Sequence, residues 1–220
     1  MNGAPPHERH DSPRDPRGED PDFRAGTPWR RFIVLGDSGA RSRGSSRRGS
    51  GSEPWADRVA GALRSPRPEL AYLNLSRADQ SAAQVRSRQL ARALAFRGDL
   101  AAVVAGGHEA LLDSFDVDAT EAELHRIVGA LRDSGADVIT LGAYGSCGQA
   151  PAVAERGGGP EQRLRLLAER TRALALQHGA MHVDMVGAGD GPAGDRERAV
   201  AAAVIRRLAA HPEVTRTASW

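Results

Sequence analysis

The first residue with the chemistry of a nucleophile is Ser38, which stands directly after an apolar run. The run Arg31–Leu35 contains β-branched and aromatic side chains and leads into Gly36-Asp37-Ser38. A serine hydroxyl attacks an ester carbonyl when a neighbouring base, usually histidine, takes its proton. This position therefore suggests acyl transfer, provided that the chain supplies a base. Without one, Ser38 is better interpreted as a turn residue that hydrogen-bonds the following loop.

Other chemically active side chains occur nearer the C terminus. His182 and Asp184 are two residues apart in an apolar run, so a strand would place both on one face, in a site or as hydrogen-bonded strand-end residues. Cys147 is the only cysteine, and a catalytic thiol would need a neighbouring base, so an incidental thiol is the simpler interpretation. Neither a metal site nor a cofactor is expected.

An arginine-rich loop follows the candidate nucleophile. Its guanidinium groups would suit a carboxylate or a phosphate, which makes a small ester or an anionic ligand a candidate partner. The alternative is a solvated loop, since segments rich in Gly and Ser are usually flexible. The arginines are Arg41, Arg43, Arg47 and Arg48.

The composition narrows the class of protein. All 30 basic residues are arginine, and 28 acidic residues leave a net charge of +2, a near balance that argues against nucleic-acid binding. A single cysteine allows no intrachain disulfide. No apolar leader is visible at the printed N terminus, and no apolar run reaches the ~18 residues of a membrane span. We therefore expect a cytoplasmic protein without membrane contact.

Five short apolar runs, separated by helical patterns, would position these side chains. Such runs suit a parallel sheet that is covered on both faces. They are Arg31–Leu35, Glu69–Leu75, Leu100–Gly107, Asp137–Ala143 and Ala180–Val186. One helical pattern spans residues 81–96, with an apolar stripe through Val85, Leu90 and Leu94. The predicted fold is a three-layer αβα sandwich with a five-stranded parallel sheet, similar to flavodoxin.

The chain is expected to form one domain with two tails. Residues 1–28 are rich in Pro, Arg, Asp and Gly and poor in apolar side chains, which predicts a disordered tail. Residues 29–212 form the predicted domain, and residues 213–220 a C-terminal tail. Because ligands on such sheets bind at the carboxyl ends of the strands, Ser38 stands where a site is expected.

Three of the strand ends together resemble the SGNH, or GDSL-type, hydrolase family. Gly36-Asp37-Ser38 resembles its first block, YLNLS (72–76) followed by AAQV resembles the second, and the segment after the third strand resembles the third. The resemblance covers residues 31–210. It implies an SGNH-hydrolase-like fold, a nucleophilic role for Ser38, and ester or acyl hydrolysis.

The resemblance also implies a base and an oxyanion hole, and this sequence alters both. The family's second-block glycine corresponds to Asp79, and its third-block asparagine to His108. The last block reads Asp-x-x-His in the family; here Asp190 is a candidate remnant, and Ala193 stands at the histidine position, or Gly189 with a different gap. Neither Ala nor Gly accepts a proton.

His108 is the candidate to replace the missing groups. A neutral imidazole could serve Ser38 as a substitute base or donate to the oxyanion, with Glu109 orienting the ring. The alternative is a polar pocket residue without a catalytic role. By the same resemblance, the positions predicted to bind substrate are Asp37, Gly39, Asp79, Gly107 and Glu109.

Two functions remain open from the sequence. One is an ester or acyl hydrolase with weak or rewired activity. The other is a catalytically inactive SGNH-like protein that binds a ligand or a partner without turnover. Loss of triad members typically lowers the rate by several powers of ten. The altered residues therefore favour the second function, whereas the three blocks favour the first.

Overall fold

Five apolar segments pair into one parallel sheet in the order β2-β1-β3-β4-β5. The strands are β1 (Arg31–Gly36), β2 (Ala71–Asn74), β3 (Leu100–Val104), β4 (Asp137–Leu141) and β5 (Met181–Val183). β3 is buried along its whole length and β1 at every position after the first, which explains why both read as continuous apolar runs. The computed structural model describes residues 23, 26–37, 53–142, 159–185 and 193–217.

Helices cover both faces of the sheet. On one face α1 and α7 pack against Phe32 and Val34, and on the other face α2, α5 and α6 pack against Ile33 and Leu35. Successive residues of β1 thus enter opposite halves of the core. The helices are α1 (Trp55–Arg64), α2 (Ala82–Val85), α3 (Ala91–Phe96), α4 (Gly107–Ala110), α5 (Val117–Asp133), α6 (Pro160–Gln177), α7 (Ala193–Ala209) and α8 (Pro212–Thr217). The predicted three-layer αβα sandwich with five parallel strands is confirmed.

The helical pattern at 81–96 differs from the prediction. α2 and α3 are joined by a π-helical turn, Arg86–Leu90. The most deeply buried side chains of the segment include Val85, Gln89 and Ala93, whereas Leu90 and Leu94 of the predicted stripe are only partly buried. A polar residue therefore occupies the inward-facing position where periodicity predicts an apolar one.

The core extends beyond the predicted domain boundaries. Phe23 and Thr27 lie in the segment assigned to the tail, yet both are almost fully buried, and Phe23 packs in the core beside Trp29. α8 occupies most of the segment assigned to the C-terminal tail. The assignment of the remaining tail residues stays a prediction. Among the helices that the structure describes, none combines the length and apolarity needed to cross a bilayer.

The strand order brings the ends of β1 and β3 together. The chain passes from β1 to β2 on one side and later returns to place β3 on the other side, with Gly36 beside Val104 in the register. Open α/β sheets bind ligands at such a switch point. Asp37 and the segment 105–110 therefore meet at the carboxyl edge of the sheet.

Candidate functional site

Five of the residues predicted for a site follow the carboxyl ends of the first three strands. They are Asp37, Asp79, Gly107, His108 and Glu109. Other predicted positions lie outside the described residues, and their roles stay predictions: Ser38, Gly39, Asp190, Cys147 and the arginines of the loop at 41–48.

The end of β1 is held tightly against β3. The φ angle of Gly36 is +154°, and a Cβ atom at this position would lie 2.0 Å from the carbonyl oxygen of Val104. Only glycine permits this approach. The next residue, Asp37, donates its backbone N–H to the same carbonyl at 2.9 Å and is 2% exposed. Asp37, the residue before Ser38, is thus held in a buried position between the carboxyl ends of β1 and β3.

The turn after β2 has the backbone shape of a glycine although its residue is aspartate. Asp79 adopts φ = +60°, one of two positive φ angles at non-glycine residues in the described part of the chain. Aspartate tolerates this left-handed region better than most residues. Asp79 is also the position at which the family resemblance expects glycine, so the turn is retained while its side chain adds a carboxylate that is 62% exposed.

The turn after β3 places His108 over Asp37. Gly106 has φ = +91°, and a Cβ there would lie 2.8 Å from Thr120 and 2.9 Å from Leu167, so glycine is required for the sharp entry into α4. The backbone N–H of His108 then donates to Asp37 Oδ2 at 3.1 Å. This hydrogen bond ties the third block of the site to the first.

The carboxylate that faces the His108 ring is Asp79, not Glu109. His108 Nδ1 lies 3.6 Å from Asp79 Oδ1, the distance of an ion pair rather than of a hydrogen bond. Glu109 instead accepts a hydrogen bond from the backbone N–H of Ala82 at 2.5 Å, at the start of α2. The expectation that Glu109 orients the ring is therefore not supported, because its side chain binds a helix end.

Glu109 nonetheless shapes the electrostatics of the site. Burial raises the pKa of its carboxyl, the hydrogen bond from Ala82 opposes this, and the negative charge of Asp37 adds to the increase. A nearby negative charge disfavours the ionised form of a partly buried carboxyl group. The described part of the site is therefore acidic.

A buried glutamine that sequence reasoning missed joins the first two blocks. Gln89, 2% exposed, binds both the N–H and the C=O of Gly36 and also donates to Gln80 Oε1 at 2.6 Å. The available signal was a polar residue four positions after Val85, on the inward-facing side of an amphipathic helix.

His182 and Asp184 do not join this site. His182 lies on β5, which β3 and β4 separate from β1, and its Nδ1 is 2.8 Å from the hydroxyl of Thr140. Its Nε2 lies 3.4 Å from Asp184 Oδ1, and Asp184 also faces Arg172 at 3.5 Å. Burial lowers the pKa of His182. The two residues contact each other at the end of β5. This agrees with the interpretation that they are paired strand-end residues and not part of a site.

Comparison with solved structures identifies proteins of the same fold. An acetylxylan esterase from Geobacillus stearothermophilus superimposes with a TM-score of 0.66 at 15% identity, over 85% of this chain and 97% of that one. An α/β hydrolase from the metagenome of Lake Arreo, Spain, gives 0.66 at 16% identity, over 83% and 96%. Catalytic mutants of the Geobacillus esterase, each also similar to this chain, change a serine, an aspartate or a histidine.

The sequence comparison gives the family. No curated protein matches the chain significantly. The model of the GDSL-like lipase/acylhydrolase family matches residues 34–215, from within β1 to within α8. Since this match covers most of the sequence and the sheet has the architecture of the esterases above, the protein belongs to the GDSL-like lipase/acylhydrolase family and has the SGNH-hydrolase fold.

Proposed function

We propose that the protein hydrolyses small esters, with Ser38 as nucleophile and His108, oriented by Asp79, as base. The observation that carries the proposal is the contact between the two residues that depart from the family pattern: His108 Nδ1 lies 3.6 Å from Asp79 Oδ1. A carboxylate beside Nδ1 favours the tautomer with the proton on that nitrogen. The other nitrogen, Nε2, is then the proton acceptor, as in a serine–histidine–aspartate triad.

The backbone of His108 is tethered to the residue before the nucleophile. Its N–H donates to Asp37 Oδ2 at 3.1 Å, and Ser38 follows Asp37 in the chain. The hydrogen bond keeps the backbones of the first and third blocks together, which supports the pairing of Ser38 with His108 in this proposal. The side chain of His108 is 27% exposed, so a substrate arriving from solvent can reach it.

In this mechanism Ser38 Oγ attacks the ester carbonyl carbon while its proton passes to His108 Nε2. The tetrahedral intermediate expels the alcohol, which takes that proton, and an acyl-enzyme remains. Water then attacks the acyl-enzyme, His108 accepts a proton from the water, and the carboxylic acid leaves as the serine regains its proton.

We expect slow turnover, because the same substitutions that supply a base weaken the oxyanion hole. Removing one oxyanion donor typically lowers kcat about 10²- to 10³-fold. The carboxyl groups of Asp37, Asp79 and Glu109 also oppose the negative charge that develops in the transition state. The described part of the site is more compatible with a neutral ester than with an anionic ligand.

The alternative is a binding protein without turnover. The acidic surroundings of His108 favour it, and so does the sequence of the last block, where Gly189 or Ala193 replaces the family's histidine. Both functions would use the same site, but only the hydrolase turns over an ester. A measurement of ester hydrolysis therefore separates them.

The test is hydrolysis of 4-nitrophenyl acetate by the purified protein and by Ser38→Ala and His108→Ala. We expect wild-type activity above background that both substitutions abolish. The matched control is His178→Ala, which removes a histidine at the end of α6 near the opposite edge of the sheet and should leave activity unchanged. Absence of wild-type hydrolysis, or hydrolysis that survives either site substitution, would contradict the mechanism.

A further inference from the structure

The side chain of Gln89 extends the backbone pairing at Gly36, where the ladder between β1 and β2 ends. The ladder between β1 and β2 ends at Val34 and Asn74, and beyond it the N–H of Arg77 still donates to the C=O of Gly36 at 3.1 Å. On this side of β1, Gln89 Oε1 accepts from the N–H of Gly36 at 2.9 Å, and Gln89 Nε2 donates to its C=O at 2.9 Å. One side-chain amide thus accepts from the N–H of Gly36 and shares its C=O with the backbone N–H of Arg77.

The same amide reaches the turn after β2. Gln89 Nε2 also donates to Gln80 Oε1 at 2.6 Å, and Gln80 directly follows Asp79. Gln80 is 4% exposed and Gln89 is 2% exposed, so these hydrogen bonds are shielded from water. Shielded, fully satisfied polar networks hold their members in one arrangement.

Gln89 stands within a π-helical turn, Arg86–Leu90. π-Helical turns are rare and occur frequently at functional sites. Its neighbours Ser87 and Arg88 are exposed, and Gln89 is the inward-facing residue of the turn. The buried amide of Gln89 forms hydrogen bonds that an apolar side chain at this position could not form.

We propose that Gln89 is a positioning residue that holds the strand end leading to Ser38 in register with the turn carrying Asp79. This inference rests on the proposed function, in which Ser38 and the Asp79–His108 pair must act together. Among the described residues, its side chain makes its hydrogen bonds to Gly36 and Gln80. It acts through Gly36 on one side and through Gln80 on the other.

The first test is the kinetics of Gln89→Met, which keeps the length of the side chain and removes its hydrogen bonds. A misplacement of about 1 Å can lower the rate about 100-fold. We therefore expect kcat for 4-nitrophenyl acetate to fall roughly 10- to 100-fold while KM changes less than about twofold. The matched control is Gln177→Met at an exposed position of α6, which should keep wild-type kcat.

The second test does not depend on turnover. Hydrogen exchange of the Gly36 amide, followed by NMR, should be at least about 100-fold faster in Gln89→Met than in the wild type, with the Val34 amide much less affected. Absence of wild-type hydrolysis would overturn the proposed function alone, whereas unchanged Gly36 exchange in the variant would overturn the role of Gln89. Unchanged kcat together with faster exchange would also overturn it, because the contact would then be structural only.

Gln89→Glu serves where Gln89→Met does not fold. A protonated carboxyl keeps an acceptor for the N–H of Gly36 and one donor, and an ionised carboxylate keeps no donor. We expect kcat of this variant to decrease as pH rises through the ionisation of the new carboxyl, a descending limb that the wild type lacks. A pH profile parallel to that of the wild type would argue against the proposal.

Discussion

The two edges of the sheet use their carboxylates in opposite ways. At the amino edge, Asp99 accepts the backbone N–H groups of Arg30 and Arg31 at 2.8–3.0 Å, and Asp137 accepts from Trp29 Nε1 at 2.9 Å. Asp137 also pairs with Arg132 at 3.1 Å. These carboxylates hold the chain in place where it enters β1 and β4. Each one accepts hydrogen bonds from N–H groups, and such bonds to a charged acceptor are strong.

At the carboxyl edge, carboxylates are placed near one another. Asp37 is buried, Asp79 faces a histidine from a left-handed backbone conformation, and burial raises the pKa of Glu109. Neighbouring carboxylates and a left-handed backbone at a non-glycine residue lower the free energy of unfolding, whereas the paired carboxylates of the amino edge do not. The contrast indicates that the amino edge secures the fold and that the carboxyl edge is shaped for a site.

The largest expected effect is that of Gly36→Ala, with Gly135→Ala at the amino edge as its counterpart. Both glycines have positive φ angles, +154° and +89°, but an added Cβ lies 2.0 Å from the Val104 oxygen in the first and meets nothing within 4 Å in the second. We expect the free energy of unfolding to fall by roughly 3 kcal/mol or more for Gly36→Ala. For Gly135→Ala we expect a fall of about 1 kcal/mol. Urea unfolding of both variants measures this difference. Equal decreases in the free energy of unfolding would show that β1 and β3 can move apart to accommodate the added Cβ.

An intermediate effect is expected from Asp79→Asn, compared with Asp137→Asn. The first removes the charge beside His108, so kcat/KM should fall roughly 10- to 100-fold with little change in stability. The second weakens the contacts with Trp29 and Arg132 and should lower the free energy of unfolding by about 1–2 kcal/mol with unchanged kcat/KM. Ester hydrolysis and thermal unfolding of both variants check this prediction. It is wrong if each substitution changes both kcat/KM and the free energy of unfolding.

The smallest expected effect is the pH dependence that Glu109 contributes. Its pKa in the folded state is raised above the ordinary value of 4.5, so its contribution to stability is fully present below that pH and is lost as pH rises through the folded pKa. Gln at this position keeps an acceptor for Ala82 without the charge. We therefore expect Glu109→Gln to raise Tm relative to the wild type at pH 7, and this difference to shrink towards pH 4.

The control for this measurement is Glu169→Gln, at an exposed position of α6. Its Tm difference from the wild type should not vary with pH. A Tm difference for Glu109→Gln that is likewise constant between pH 4 and pH 7 would show that the charge of Glu109 is well accommodated.

Periodicity predicts the sheet well because burial dictates it. Each of the five apolar runs forms one strand, although β1 extends one residue beyond its run, to Gly36, and β5 is shorter than its run, Met181–Val183 within 180–186. The approach of Asp37 and His108 also follows from the sequence, since carboxyl ends of adjacent parallel strands meet at one edge. The order of the strands was not predicted, and the closeness of these two residues was expected only from the resemblance to the family.

Polar partners could not be predicted, because hydrogen-bond pairing leaves no periodic trace. Neither the contact of Asp79 with the ring of His108 nor the hydrogen bond of Glu109 with Ala82 follows from a sequence pattern. The contact of Gln89 with Gly36 spans 53 residues of sequence, and that of Trp29 with Asp137 spans 108. Composition likewise assigned Phe23 to a tail, because one aromatic residue in a polar segment does not change its average.

The position of β1 in the sheet has a consequence for synthesis of the chain. Among the described strands β1 comes first in the chain, so its partners on both sides, β2 and β3, are synthesised after it. Until Val104 has left the ribosome, the apolar segment Phe32–Leu35 has one unpaired edge. Exposed strand edges of this kind favour aggregation, and domains generally complete their folding as units. The strand that leads to Ser38 is thus made before both of its partners and receives the second one only once β3 (Leu100–Val104) has been synthesised.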